Sequence, residues 1–70
     1  MYSNLKHAMK EQKITEKMIA KLLDCRIATV CDKINGKTIS GFSVDEAIKI
    51  QSYFFSDREF RNLFSRDQLL

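Results

Sequence analysis

Thr15-Glu16-Lys17-Met18-Ile19-Ala20-Lys21-Leu22-Leu23-Asp24-Cys25-Arg26-Ile27-Ala28-Thr29-Val30-Cys31-Asp32-Lys33-Ile34-Asn35-Gly36-Lys37 is the stretch on which the fold turns. The Thr15 hydroxyl can accept from the unpaired amides that open a helix, placed over Glu16 to about Leu23. Glu16 adds a negative charge at the positive end of that helix. Ile19, Ala20 and Leu23 line one side of it, and Lys17 and Lys21 line another. Asp24-Cys25 reads as a tight turn. A further helix then runs from Arg26 to Asn35, with Val30 and Ile34 at i, i+4 as its inward stripe and Gly36 as the residue that ends it. Two helices of about eight residues joined by a tight turn suggest a helix-turn-helix.

The flanks extend the same pattern. Ser3 is expected to cap a first helix through Lys13, with Leu5 and Met9 one turn apart. The chain has no proline, and its two glycines, Gly36 and Gly41, bracket its main break, so Lys37 to Phe42 reads as a loop. Ser43-Val44-Asp45-Glu46 is a capping box, with serine at the cap and glutamate three residues on. The helix it opens carries Ala47, Ile48, Ile50 and Phe54 or Phe55 inward or toward a partner. Ser56-Asp57-Arg58-Glu59 repeats the box and is expected to open a last helix with Phe60, Leu63 and Phe64 on one face. The tail after about Ser65 is expected to fray. The reading is all-α: five short helices, no sheet, and one domain over residues 1–70, with the helix-turn-helix at about 15–35.

Size and composition exclude most other classes. A chain of 70 residues buries only about 60% of its unfolded surface. An enzyme pocket with converging polar groups is hard to cut into so thin a core. The expectation is therefore a protein that is not an enzyme and has neither a cofactor nor a small-molecule effector. No apolar run approaches the length of a membrane span, and the N-terminal residues lack the apolar segment of a secretory signal, so a cytoplasmic location is expected. Cys25 and Cys31 with the single His7 fall short of a zinc site, so no metal is expected and the cysteines read as reduced thiols. Asp45/Glu46 and Asp57/Glu59 are accounted for by helix N-terminal electrostatics rather than by acid–base chemistry.

Charge is distributed unevenly. Residues 1–37 hold eight Lys/Arg against four acids, a balance of +4, while residues 38–70 hold four against five, a balance of −1. The positive half is the one containing the two-helix motif, as a phosphate-binding face requires.

Ile14-Thr15-Glu16-Lys17-Met18-Ile19-Ala20-Lys21-Leu22-Leu23, Thr29-Val30 and Ile34-Asn35-Gly36-Lys37 together resemble the phage repressor/Cro-like helix-turn-helix domain of the xenobiotic-response-element type, a lambda-repressor-like fold. Phe42-Ser43-Val44-Asp45-Glu46-Ala47, Tyr53-Phe54-Phe55-Ser56-Asp57 and Leu63-Phe64 are similar to its short phage-encoded members, so the resemblance covers roughly residues 4 to 65. It implies a sequence-specific regulator of transcription whose third helix enters the major groove of a double-stranded DNA operator. On that resemblance Ile19, Ala20, Leu23, Cys25 and Val30 lock the two helices together. Ile27, Ala28, Cys31 and Asp32 face base edges, with Arg26 within reach of a phosphate or a guanine. Lys13, Lys17, Lys33, Asn35 and Lys37 hold phosphates.

The departures from the family pattern are specific. Glu16 stands where the family usually has a phosphate-donating glutamine, Asp24 replaces the turn glycine, and Arg26 replaces a capping serine or threonine. The base-facing set has no Gln or Asn for bidentate contacts; Ile27 or Ala28 can meet a thymine methyl and Asp32 can accept from a cytosine amine. Consecutive Phe54 and Phe55 cannot face the same way on one helix, so one is expected to serve a partner, in a homodimer built by the last two helices. A different class of reading stays open: a protein-interaction module of antitoxin or anti-repressor type on the same fold, its DNA face decayed.

Overall fold

Five helices follow one another: α1 (Ser3–Gln12), α2 (Glu16–Leu23), α3 (Ile27–Ile34), α4 (Val44–Phe54) and α5 (Phe60–Leu63). The computed structural model describes residues 2–38 and 41–66, and among them no strand is formed. Part of the Lys37–Phe42 loop and most of the tail expected to fray thus lie outside the described residues.

The boundaries of α2 follow the local signals. Thr15 is its N-cap, and the Thr15 Oγ1 accepts from the Met18 amide at 3.3 Å. The first three helices end alike. Lys13, Asp24 and Gly36 each adopt a left-handed conformation, with φ of 58°, 56° and 78°. Beyond each of them an amide returns to a carbonyl of the last turn: Ile14 to Met9 at 2.8 Å, Cys25 to Ala20 at 3.0 Å and Lys37 to Asp32 at 2.9 Å. These are Schellman ends, which satisfy carbonyls that the helix leaves unpaired. Asp tolerates the left-handed region better than most residues, which explains how Asp24 serves where glycine is usual. Lys13 lies outside α1 for the same geometric reason, so the helix ends at Gln12, one residue before the expected end at Lys13.

Two cap assignments are corrected. Tyr2, not Ser3, precedes α1, and it makes no side-chain cap bond. Its amide donates to the Ile34 carbonyl at 3.0 Å, so a tertiary bond fixes where α1 begins. Ser43 and Glu46 form the capping box of α4 in both directions. The second box does not form: α5 starts after Glu59, which makes no side-chain cap bond. Arg58 instead reaches back to α1, its Nε donating to Gln12 Oε1 and its Nη2 to Glu11 Oε1, each at 2.9 Å. Its carbonyl accepts from Gln51 Nε2 at 3.0 Å. These long-range bonds hold the 55–59 segment as a turn.

The core takes side chains from every helix. Leu5, Ile19, Val30, Ile34, Ile50 and Phe55 are the largest fully buried ones, each giving about 1.5–3 kcal/mol of transfer free energy. Among the described residues no polar or charged residue is buried. The most extensive helix pairing is α2 on α3, followed by α2 on α4 and α1 on α5. Phe55 takes the core while Phe54 stays half-buried, dividing the consecutive pair as helix geometry requires.

Candidate nucleic-acid interface

The α2–α3 pair is built from small and branched side chains. Ile19 and Ala20 of α2 and Val30 and Ile34 of α3 are buried, and Leu23 and Cys25 pack against the same cluster from the edge. Ala20 is nearly inaccessible, so a larger side chain there would have to push the two helices apart. The connection is three residues long, from Asp24 to Arg26, which holds α3 directly against α2.

With Val30 and Ile34 turned inward, the opposite flank of α3 faces solvent. Arg26, in extended conformation ahead of α3, is exposed and makes no side-chain cap bond. Ile27 is 47% exposed despite standing beside the inward stripe, because it sits at the open first turn. Ala28 is exposed, and Cys31 and Asp32 are half-buried. Both cysteines are free thiols. Among the described residues no group of three or more His, Cys, Asp or Glu side chains is arranged to hold a metal ion.

The five expected phosphate residues divide. Lys13, Lys17 and Lys37 are exposed and form no ion pair among the described residues. Asn35 is exposed, and its Oδ1 accepts from Lys6 Nζ at 3.2 Å. Lys33 is a correction. Its ammonium contacts both Glu46 oxygens, at 2.9 and 3.1 Å, and lies 5.7 Å from the Phe42 ring centroid. It is engaged in joining α3 to α4, not presented to a ligand. Partial burial pushes the Glu46 carboxyl up. The Ser43 amide and the Lys33 hydrogen bond and charge outweigh that and hold it below the ordinary glutamate value.

Lys6 joins the site from outside the motif. It lies on α1, yet its ammonium meets Asn35 at the end of α3, where Lys37 follows. Nothing local signals this, since 29 residues separate the partners and only the packing of α1 on α3 brings them together. The α3 end is clamped as well by Tyr2, whose amide binds the Ile34 carbonyl and whose hydroxyl accepts from the buried Phe42 amide at 3.1 Å.

Compared with family models, curated proteins and solved structures, the chain shows no significant match.

Proposed function

We propose that this protein is a cytoplasmic, DNA-binding regulator of the phage repressor/Cro type, acting without cofactor or chemistry on its ligand. The observation that carries the reading is the exposed flank of α3, held on α2 through a three-residue turn and bordered by Lys13, Lys17 and Lys37, which form no ion pair among the described residues. An isolated helix of that width fits the major groove of B-form DNA, and lysines at its borders can anchor phosphates. Arg26, Ile27, Ala28, Cys31 and Asp32 form the face toward bases. Lys6, Lys13, Lys17, Asn35 and Lys37 form the phosphate contacts, with Lys33 removed from that set. A homodimer through the last two helices would match a two-fold operator. Support for it comes from Val44 and Ile48, one turn apart on α4 and 69% and 48% exposed, and from the exposed Phe60 of α5.

Selection of bound sequences from a random DNA pool tests this reading, followed by binding over a range of salt. Enrichment of a two-fold-related motif is expected. Lys17→Ala and Lys37→Ala should each weaken all sequences alike and reduce the log–log salt slope by about one. Lys33→Ala should leave the slope unchanged. No enriched motif and no salt dependence would refute the proposal.

The scarcity of base-reading side chains on α3 favours a second reading, the protein-interaction module. It requires the selection to fail while a specific protein partner binds.

A further inference from the structure

The clearest feature outside the DNA-facing flank is a groove of about 460 Å³ between α2 and α4. Met18 and Leu22 of α2 and Tyr53 and Phe54 of α4 line it, with Lys21 on its edge. Lys49 borders the adjoining depression between Leu22 and Tyr53. Its walls are unusually open for large apolar side chains: Tyr53 is 71% exposed and Met18 is 39% exposed. Tyr53 stacks edge-on against Phe54 at 4.9 Å, and Gln12 Nε2 holds the Phe54 carbonyl at 2.9 Å, so the aromatic wall is fixed from behind. Exposed apolar surface rimmed by polar residues is the mark of an interaction site.

Charge decides what fits there. Among the described residues no carboxylate lines the groove, and neither Lys21 nor Lys49 forms an ion pair. A second copy of this chain seated on the groove about a two-fold axis would set that pair of lysines against the same pair. An occupant must therefore bring its own negative charge along with its apolar side chains. We propose that the α2–α4 groove binds an acidic amphipathic helical segment of another protein, its apolar side chains against Met18, Leu22, Tyr53 and Phe54 and its carboxylates on Lys21 and Lys49. This is the helix-in-groove mode of peptide recognition. It goes beyond DNA binding and does not depend on it, because it uses none of the residues on the flank of α3.

The test is an NMR titration of the isotopically labelled full chain with two synthetic helix-forming peptides of about 18 residues. One carries Leu and Phe on one face with Glu at the borders, and the other has each Glu replaced by Lys. Saturable shifts at Met18, Lys21, Leu22, Lys49 and Tyr53 are expected with the acidic peptide. The Lys peptide should bind at least about tenfold more weakly, the combined effect of two exposed ion pairs lost and turned repulsive. Lys21→Glu/Lys49→Glu should reverse that preference, and Tyr53→Ala should weaken the acidic peptide. All three side chains are exposed, so melting should be unchanged and a loss of binding is not a loss of fold. Equal affinity for both peptides, shifts centred elsewhere, or no saturation would each overturn the proposal. So would the same shifts arising from protein concentration alone, which would assign the groove to a second copy.

Discussion

Gly41→Ala offers the sharpest test of how the interhelical loop is held, with Gly36→Ala as its control. Both glycines have positive φ, 62° and 78°, so alanine at either bears the left-handed strain of about 1–2 kcal/mol. Gly36 is exposed and its variant should bear little else. At Gly41 the new methyl would overlap the Tyr2 hydroxyl oxygen and sit 3.1 Å from Cε2 and Cζ of the same ring. The ring has little room to retreat. Phe42 and Phe64 pack on it at 5.3 and 6.1 Å, the Arg66 guanidinium lies 5.2 Å over it, and the Tyr2 amide is tied to Ile34. Moving the hydroxyl would also strip the buried Phe42 amide of its acceptor, which costs about 1–3 kcal/mol. The total is about 2–5 kcal/mol for Gly41→Ala against about 1–2 for Gly36→Ala. At about 4–8 °C per kcal/mol in a domain of this size, thermal melting followed by circular dichroism should separate the two variants by at least ~5 °C. Tyr2→Phe removes the overlapping oxygen, so Gly41→Ala should cost about 1 kcal/mol less in that background. Equal melting of Gly36→Ala and Gly41→Ala, or strict additivity with Tyr2→Phe, would refute this account of the loop.

Lys13→Gly relieves a left-handed lysine and should raise stability by about 1 kcal/mol. If Lys13 also anchors a phosphate, the same variant weakens DNA binding, so melting and gel shift move in opposite senses. The Ser43 amide and the Lys33 ammonium hold the Glu46 carboxyl below the ordinary glutamate value, so it contributes stability that is present above that ordinary value and lost as pH falls through the folded-state value. Glu46→Gln keeps a side-chain oxygen to accept from the Ser43 amide but not the ion pair with Lys33. It should cost about 1 kcal/mol at neutral pH, and denaturant titrations should converge with the parent only once pH has fallen below the lowered folded-state value of Glu46. Glu16 stands at the start of α2 beside the proposed phosphate face. Glu16→Gln should therefore tighten DNA binding by about two- to fivefold, the worth of one exposed charge contact of ~0.5–1 kcal/mol; unchanged or weaker binding would remove Glu16 from that face.

The elements legible from residue order alone are those that near neighbours settle. Thr15 capping α2, Asp24 turning the chain, Gly36 closing α3, the Ser43–Glu46 box and the inward stripe of Val30 and Ile34 are all interactions within a turn or two of helix. Hydrogen bonds and periodicity of that range need no knowledge of the rest of the chain. Long-range packing set the start of α1, where the Tyr2 amide goes to Ile34 rather than to a cap, and the fate of Ser56–Glu59, where Arg58 is drawn to Glu11 and Gln12. It also took Lys33 out of the candidate site by giving it Glu46, and put Lys6 in by setting it against Asn35. A lysine looks the same in a sequence whether its charge is spent on a carboxylate of another helix or left for a ligand. That choice depends on which helices pack together, and packing is a property of side chains tens of residues apart.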